Sequence, residues 1–198
     1  MFDYLESIDR AIVLAVNGMH SAFLDEFMWA VSAKLTWIPL YVLLLALSIR
    51  SYGWKTGFIF MCCAFIAVGL SDIISTQLFK DVIQRYRPSH HALLTDRLHF
   101  YQLAPGTYYK GGMYGFISSH AANFFTICVF ASLHLKAVYP GLRWLLLFTA
   151  LLVSYSRLYL GVHYLTDLIG GALLGVTVAY ASYYVIFKKL LVKLDRTK

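Results

Sequence analysis

Charge is what this chain has least of. Asp, Glu, Lys and Arg make up 14% of its 198 residues, against about 25% in soluble globular domains, and the mean hydropathy is +0.65. That balance excludes an ordinary cytosolic enzyme. It also excludes disorder, because a chain that is 60% hydrophobic and 17% aromatic does not stay solvated. Three cysteines support no disulfide framework. Cys62 and Cys63 adjoin in one apolar run and Cys128 lies in another, where free cysteine serves as a small buried residue. The opening Met1-Phe2-Asp3-Tyr4-Leu5-Glu6 is acidic where the n-region of a secretory signal peptide is basic, so none is expected. No internal repeat or low-complexity tract is visible.

What the chain does have is apolar runs long enough for a bilayer. Five are evident, over residues 35–49 (with a possible start at 22), 56–79, 117–138, 142–159 and 166–187. The expected fold is an all-α polytopic transmembrane bundle of five to six spans, forming one membrane-embedded domain over 1–198. Within it, 1–34 is an N-terminal region, 80–116 an outer loop and 188–198 a basic tail. Residues 4–16 place Leu5, Ile8, Ile12 and Ala15 opposite Glu6, Asp9 and Arg10, a helical period that suits the membrane interface. The net charge of +7 is read through topology rather than nucleic acid. Short basic links at 50–55 and 136–143 and the tail (Lys188, Lys189, Lys193, Arg196, Lys198) fall on one side, which Lys/Arg bias marks as cytoplasmic. The long loop 80–116 and the link 158–165 share the opposite face.

Three polar clusters stand at that face. Lys80 and Arg87 are seven residues apart, two helical turns, with Pro88 turning the chain away. They are either headgroup anchors or a point charge and a planar fork for phosphate oxygens. Ser118, Ser119 and His120 open the third span, where hydroxyls cap the helix or join its N–H groups in holding an anion. An ionisable His120 in a span is costly unless it faces a cavity or a partner. Ser156-Arg157, then His163 and Asp167, close the set. If a helix starts near His163, the carboxylate one turn on accepts a hydrogen bond from the imidazole and leaves its other nitrogen free. In isolation the same pair also reads as a satisfied structural pair or as half of a metal site, but no further ligand stands at a telling spacing.

In order and spacing, these clusters resemble the type 2 phosphatidic acid phosphatase superfamily, whose signatures are Lys-x6-Arg-Pro, Pro-Ser-Gly-His and Ser-Arg-x5-His-x3-Asp. Lys80, Arg87 and Pro88 match the first, and Ser156, Arg157, His163 and Asp167 the third. In the second, Ser118 and His120 align while Ile117 and Ser119 replace proline and glycine. The matching region runs over about 70–175. The resemblance implies an acid phosphatase/vanadium-haloperoxidase-like helical core and a mechanism without metal or other cofactor. His163 would form a phosphohistidine, Asp167 would orient it, and His120 would protonate the leaving oxygen. Lys80, Arg87, Arg157, Ser118 and Ser119 would hold the phosphate.

Asp72 lies two turns before Lys80 inside the second span. It is expected to support the site from behind, meeting a polar residue such as Asn123 across the bundle; Ser156 is a further supporting candidate. His90, His91 and His99 are loop histidines with metal binding as the minor reading. Gly170, Gly171 and Gly175 permit close helix packing. Tyr101, Tyr108, Tyr109 and Trp37 suit an interfacial belt or the mouth of a site. The reading is an integral membrane phosphatase of the bacterial inner membrane with its site on the extracytoplasmic face. The expected substrate is a membrane lipid phosphate or diphosphate such as undecaprenyl diphosphate, phosphatidylglycerol phosphate, phosphatidic acid or lipid A. Its partners are the bilayer and the lipid substrate, with no nucleic acid. Alternatives are a lipid phosphotransferase using the same site, and a transporter or channel in which Asp72, His120 and Asp167 form a polar path.

Overall fold

The computed structural model describes residues 2–195; Arg196 and Lys198 of the expected basic tail lie outside them. The described residues form seven helices: α1 (Phe2–Asn17), α2 (Ala22–Ser32), α3 (Ile38–Tyr52), α4 (Trp54–Ile83), α5 (Ser119–Leu135), α6 (Leu142–Tyr159) and α7 (Leu165–Leu194). A 3₁₀ turn, Lys34–Trp37, leads into α3. The long loop between α4 and α5 carries a short antiparallel ribbon, β1 (Gln102–Ala104) with β2 (Thr107–Tyr108).

Each of the five apolar runs is a helix. Lys34–Tyr52, α4 and α7 are long and apolar enough to cross a membrane by length and composition. At 17 residues, α5 is shorter. It is the central helix, packed against α4, α6 and α7, and Ala121, Ala122, Phe124, Ile127, Phe130 and Ala131 are all buried. A helix whose apolar residues are buried on several sides belongs in such a position. The outer helices turn large side chains such as Phe58, Ile66, Leu147 and Leu173 outward, as a lipid-facing surface requires.

Two local features fix where the helix ends meet. α7 lies almost in contact with the backbone of α5: a Cβ on Gly171 would sit 2.5 Å from the Ser118 carbonyl, and one on Gly175 would sit 2.3 Å from that of Ala122. The first turns of the two helices are joined directly, with Ser118 N donating to Asp167 O at 3.0 Å. At the other wall, α4 widens into a π-helical segment over Ile74–Lys80, a distortion common at functional sites.

The N-terminal helix is turned the opposite way from a soluble amphipathic helix. Asp9, Val13 and Asn17, at i, i+4 and i+8, are its buried stripe, while Tyr4, Leu5 and Ile8 are exposed. In a lipid environment the apolar face can lie outward, and the polar stripe must find its partners inside the protein. Asn17 does so by clamping the outer loop: its side chain donates to His99 O and accepts from His99 N, both at 2.8 Å.

Candidate active site

The C-terminal ends of α4 and α6 and the N-terminal ends of α5 and α7 converge at one end of the bundle. Between them and the start of α3 lies a cavity of about 400 Å³ whose upper wall carries Lys80, Arg87, Arg157, Ser119, His120 and His163. Lys34 adds a fourth cation from the turn before α3. The deeper wall is lined by Tyr41, Phe65, Val68, Phe124 and Ile127. One end of the cavity is therefore built for an oxyanion and the other for hydrocarbon.

His163 stands just before α7 and is 1% exposed. Its Nδ1 lies 3.3 Å from Asp167 Oδ2, and its Nε2 lies 3.0 Å from a terminal nitrogen of Arg87. A guanidinium has donors only, so Nε2 accepts and Nδ1 carries the hydrogen that Asp167 receives. The network thus selects the tautomer whose Nε2 lone pair points at the cations. Asp167 is the third residue of α7 and fully buried. Its Oδ2 also accepts from Tyr164 N at 3.0 Å, and its Oδ1 accepts from Arg85 at 3.0 Å. Arg85 in turn donates to Thr166 Oγ1 at 2.7 Å and to Asp9 Oδ2 at 2.9 Å, and its guanidinium lies 4.2 Å from the Tyr164 ring centroid. A buried carboxylate is tolerable only when its lone pairs are satisfied, and Arg85 does much of that.

Burial, followed by the positive charges of Arg87 and Arg157, holds the His163 imidazole well below its ordinary 6.5. The sign for stability follows from linkage. Below pH 6.5 an unfolded imidazole takes up a proton that the folded one refuses. The contribution is therefore complete above that value and is lost as pH falls below it. In ¹⁵N-imidazole spectra of the folded protein, His163 is expected to keep its neutral signature at about pH 5.5; a titration midpoint near the ordinary value would contradict this environment.

The cations are held by different means. Arg87 donates through Nε to Tyr114 O at 3.0 Å and through a terminal nitrogen to Val162 O at 3.3 Å. Burial and then the neighbouring Arg157 lower it to about 10, which leaves it charged at neutral pH. Arg157 is 2% exposed and is anchored by Ser32 Oγ and by Tyr109 OH, the latter at 2.7 Å. Lys80 donates to Ser119 Oγ at 2.5 Å, and that hydroxyl also meets Ser75 Oγ at 2.7 Å. The serine standing in place of the family glycine is thus wired to the lysine of the first signature. Gly115 makes the crowding possible: a Cβ there would lie 3.0 Å from both Arg87 Cγ and Asp167 Oδ2.

Some expected arrangements differ. Lys80 and Arg87 do not share a helical face, because α4 ends at Ile83 and Gln84 is left-handed (φ 51°). Arg87 is extended (φ −66°, ψ 157°), as a residue before proline prefers, and it reaches the cavity from the loop. Ser118 is fully buried and caps α5, its Oγ accepting from Ala121 N at 3.4 Å; it does not line the cavity. Ser156 donates to Val153 O at 2.7 Å within α6 and likewise stays behind the site. Asp72 and Asn123 do meet, the amide donating to Asp72 Oδ1 at 2.8 Å, but both line the cavity rather than standing behind it.

The loop histidines have separate partners. His90 Nδ1 meets Ser89 Oγ at 3.1 Å, His91 lies 3.6 Å from Glu6, and His99 pairs with Asp25 at 2.9 Å. His20 joins the last pair, but its ring stacks on His99 at 3.9 Å and 10°. Parallel rings aim their lone pairs side by side rather than at one ion, so this trio reads as a clasp between α2 and the loop.

Asp9, Ser32, Arg85 and Gly115 are not legible as site residues in the sequence, and Tyr109 stands there only among the aromatics suited to an interfacial belt or the mouth of a site. The usable signals were the polar stripe of α1, which a membrane chain must bury, and a second arginine two residues from the signature Arg87.

A membrane helical bundle whose helix ends and adjoining loop gather three cations around two imidazoles, above an apolar cleft, defines a membrane phosphatase. The PAP2 superfamily profile matches residues 60–191, and the chain belongs to that family; it is a hydrolase of phosphoric esters. The chain is 32% identical over 183 residues to a lipid A 4'-phosphatase of Porphyromonas gingivalis, covering 92% of this chain and 75% of the relative. It is 31% identical over 192 residues to a lipid A 4'-phosphatase of Bacteroides thetaiotaomicron, covering 95% and 81%. Its fold is similar to that of a transmembrane PAP2-type phosphatidylglycerolphosphate phosphatase of Bacillus subtilis, with a TM-score of 0.68, 24% identity and coverage of 93% and 87%.

Proposed function

We propose that the chain hydrolyses a phosphate monoester of a membrane lipid, without a metal ion, through a phosphohistidine. The observation that carries this reading is one cavity with Lys80, Arg87, Arg157, His120 and His163 at its mouth and apolar side chains beyond. In the first step, the Nε2 lone pair of His163 forms a bond to phosphorus as the phosphorus–oxygen bond to the lipid breaks. His120 gives the departing oxygen its proton. Asp167 stabilises the charge that develops on the His163 ring. Lys80, Arg87 and Arg157, with Ser119, hold the equatorial oxygens as charge moves toward the leaving group. In the second step, water gives a proton to His120 and attacks phosphorus, and the phosphorus–nitrogen bond breaks to release inorganic phosphate.

Both curated relatives described above are named as acting on lipid A, which favours a phosphorylated glycolipid over a polyprenyl diphosphate. Arg50, Lys55, Lys136, Arg143 and Lys188 mark the end of the bundle opposite the cavity, so the site is assigned to the extracytoplasmic face of a bacterial inner membrane.

Phosphate release by the purified protein in detergent tests this reading. Lipid A, undecaprenyl diphosphate, phosphatidylglycerol phosphate and phosphatidic acid should be compared, with and without EDTA. Lipid A is expected to be the preferred substrate, EDTA to have no effect and orthovanadate to inhibit. A different preferred lipid would overturn the substrate assignment. Activity lost in EDTA and restored by a divalent ion would overturn the metal-independent mechanism, and a newly phosphorylated lipid in place of free phosphate would make the chain a transferase.

A further inference from the structure

Below the phosphate-binding mouth, the cavity wall carries a second polar feature that the chemistry above does not use. Asp72 is exposed on α4 and lines the cavity together with Asn123 of α5. Their side chains are joined by the 2.8 Å hydrogen bond from Asn123 Nδ2 to Asp72 Oδ1. The position of this pair relative to the mouth follows from α5. Ser119, which holds Lys80 Nζ, and Asn123, which holds Asp72, are four residues apart, about 6 Å of helical rise. The carboxylate therefore sits about one turn below the lysine ammonium, at the border between the cationic mouth and the apolar wall of Tyr41, Phe65 and Ile127.

A carboxylate at that depth is costly unless something uses it. Among the described residues, Asn123 is its side-chain hydrogen-bond partner, donating to Oδ1 and leaving Oδ2 without a donor. Asp72 consequently offers its carboxylate oxygens to the cavity. A saturated or polyprenyl chain lying there would leave them unsatisfied, whereas a substrate bearing hydroxyl or amide N–H groups a few bonds from the phosphate ester would satisfy them.

We infer that Asp72 and Asn123 form a subsite for a hydrogen-bond donor, a hydroxyl or amide N–H, carried by the part of the lipid next to its phosphate. This rests on the phosphatase reading above and narrows it to phosphorylated lipids with donor-bearing headgroups, as opposed to those whose phosphate is attached to plain hydrocarbon or to fully esterified glycerol.

The test uses two phosphorylated N-acylglucosamine lipids that differ in one respect: one keeps its ring hydroxyl and amide N–H, and in the other both are methylated. Phosphate release by the full chain in detergent gives kcat/KM for each. The donor-bearing lipid is expected to be preferred by about 10- to 100-fold, the range for a hydrogen bond to a charged group. That ratio should fall toward one in Asp72→Ala and take an intermediate value in Asp72→Asn, which keeps one acceptor. If Asp72 merely balances the charge of Lys80, both lipids slow together and the ratio is unchanged, which would overturn the subsite while leaving the phosphatase reading in place. Failure of the wild-type protein to release phosphate from either lipid would overturn both. Asp72 is exposed, and an unchanged elution profile establishes that its variants fold.

Discussion

Replacing His163 by alanine is expected to lower phosphate release by about 10⁴-fold or more, since removal of a covalent nucleophile leaves only binding and electrostatic contributions. The structure makes the expectation specific. The His163 ring is buried between Asp167 and Arg87, its lone pair is aimed into the cation cluster, and burial keeps it neutral. His120, on a different helix, also lines the cavity, so the two imidazoles are not interchangeable. Steady-state release in detergent, with circular dichroism to establish folding, measures the effect. Turnover within about tenfold of wild type would remove His163 from the nucleophile's place.

The second large effect is expected at Arg87. One guanidinium spans Tyr114 O, Val162 O and His163 Nε2, so it shapes the loop and faces the nucleophile together. Arg87→Ala is expected to reduce kcat/KM by about 10²- to 10³-fold, the range for loss of a preorganised transition-state donor. Arg87→Lys should recover little, because an ammonium cannot hold both carbonyls with a planar fork and still present a donor at the ring. Recovery to near wild-type rates by lysine would mean that charge alone matters at this position.

The legible parts of this protein are those governed by local rules. Helix positions followed from apolar runs and their length, and the signature residues Lys80, Arg87, His120, Arg157 and His163, picked out by residue type and order, are brought together in one cavity. The three-residue spacing between His163 and Asp167 was enough to bring their side chains together, because α7 begins at Leu165 and Asp167 falls within its first turn. What was not legible depended on long-range packing. Nothing local says that Asp9 joins Arg85 behind Asp167, since that contact bridges positions 76 apart in sequence. Arg157 gave no hint that Ser32 and Tyr109 hold it. Ser118 could equally have been cap or ligand from its sequence position, and the close approach of α5 to α7 at Gly171 decides how that first turn is used. Helical periodicity also misplaced Arg87 on the α4 face, because the left-handed Gln84 ends the helix one turn early.

The central claim is that a bond forms between phosphorus and His163. The direct measurement is acid-free, alkaline quenching of the enzyme during turnover of a ³²P-labelled lipid phosphate, followed by peptide mapping. The account predicts a label that survives alkali, is lost in acid, maps to the peptide containing His163 and is absent from His163→Ala. Turnover without any protein-bound label under conditions that trap a reference phosphohistidine enzyme, or a label that persists in His163→Ala, would contradict it.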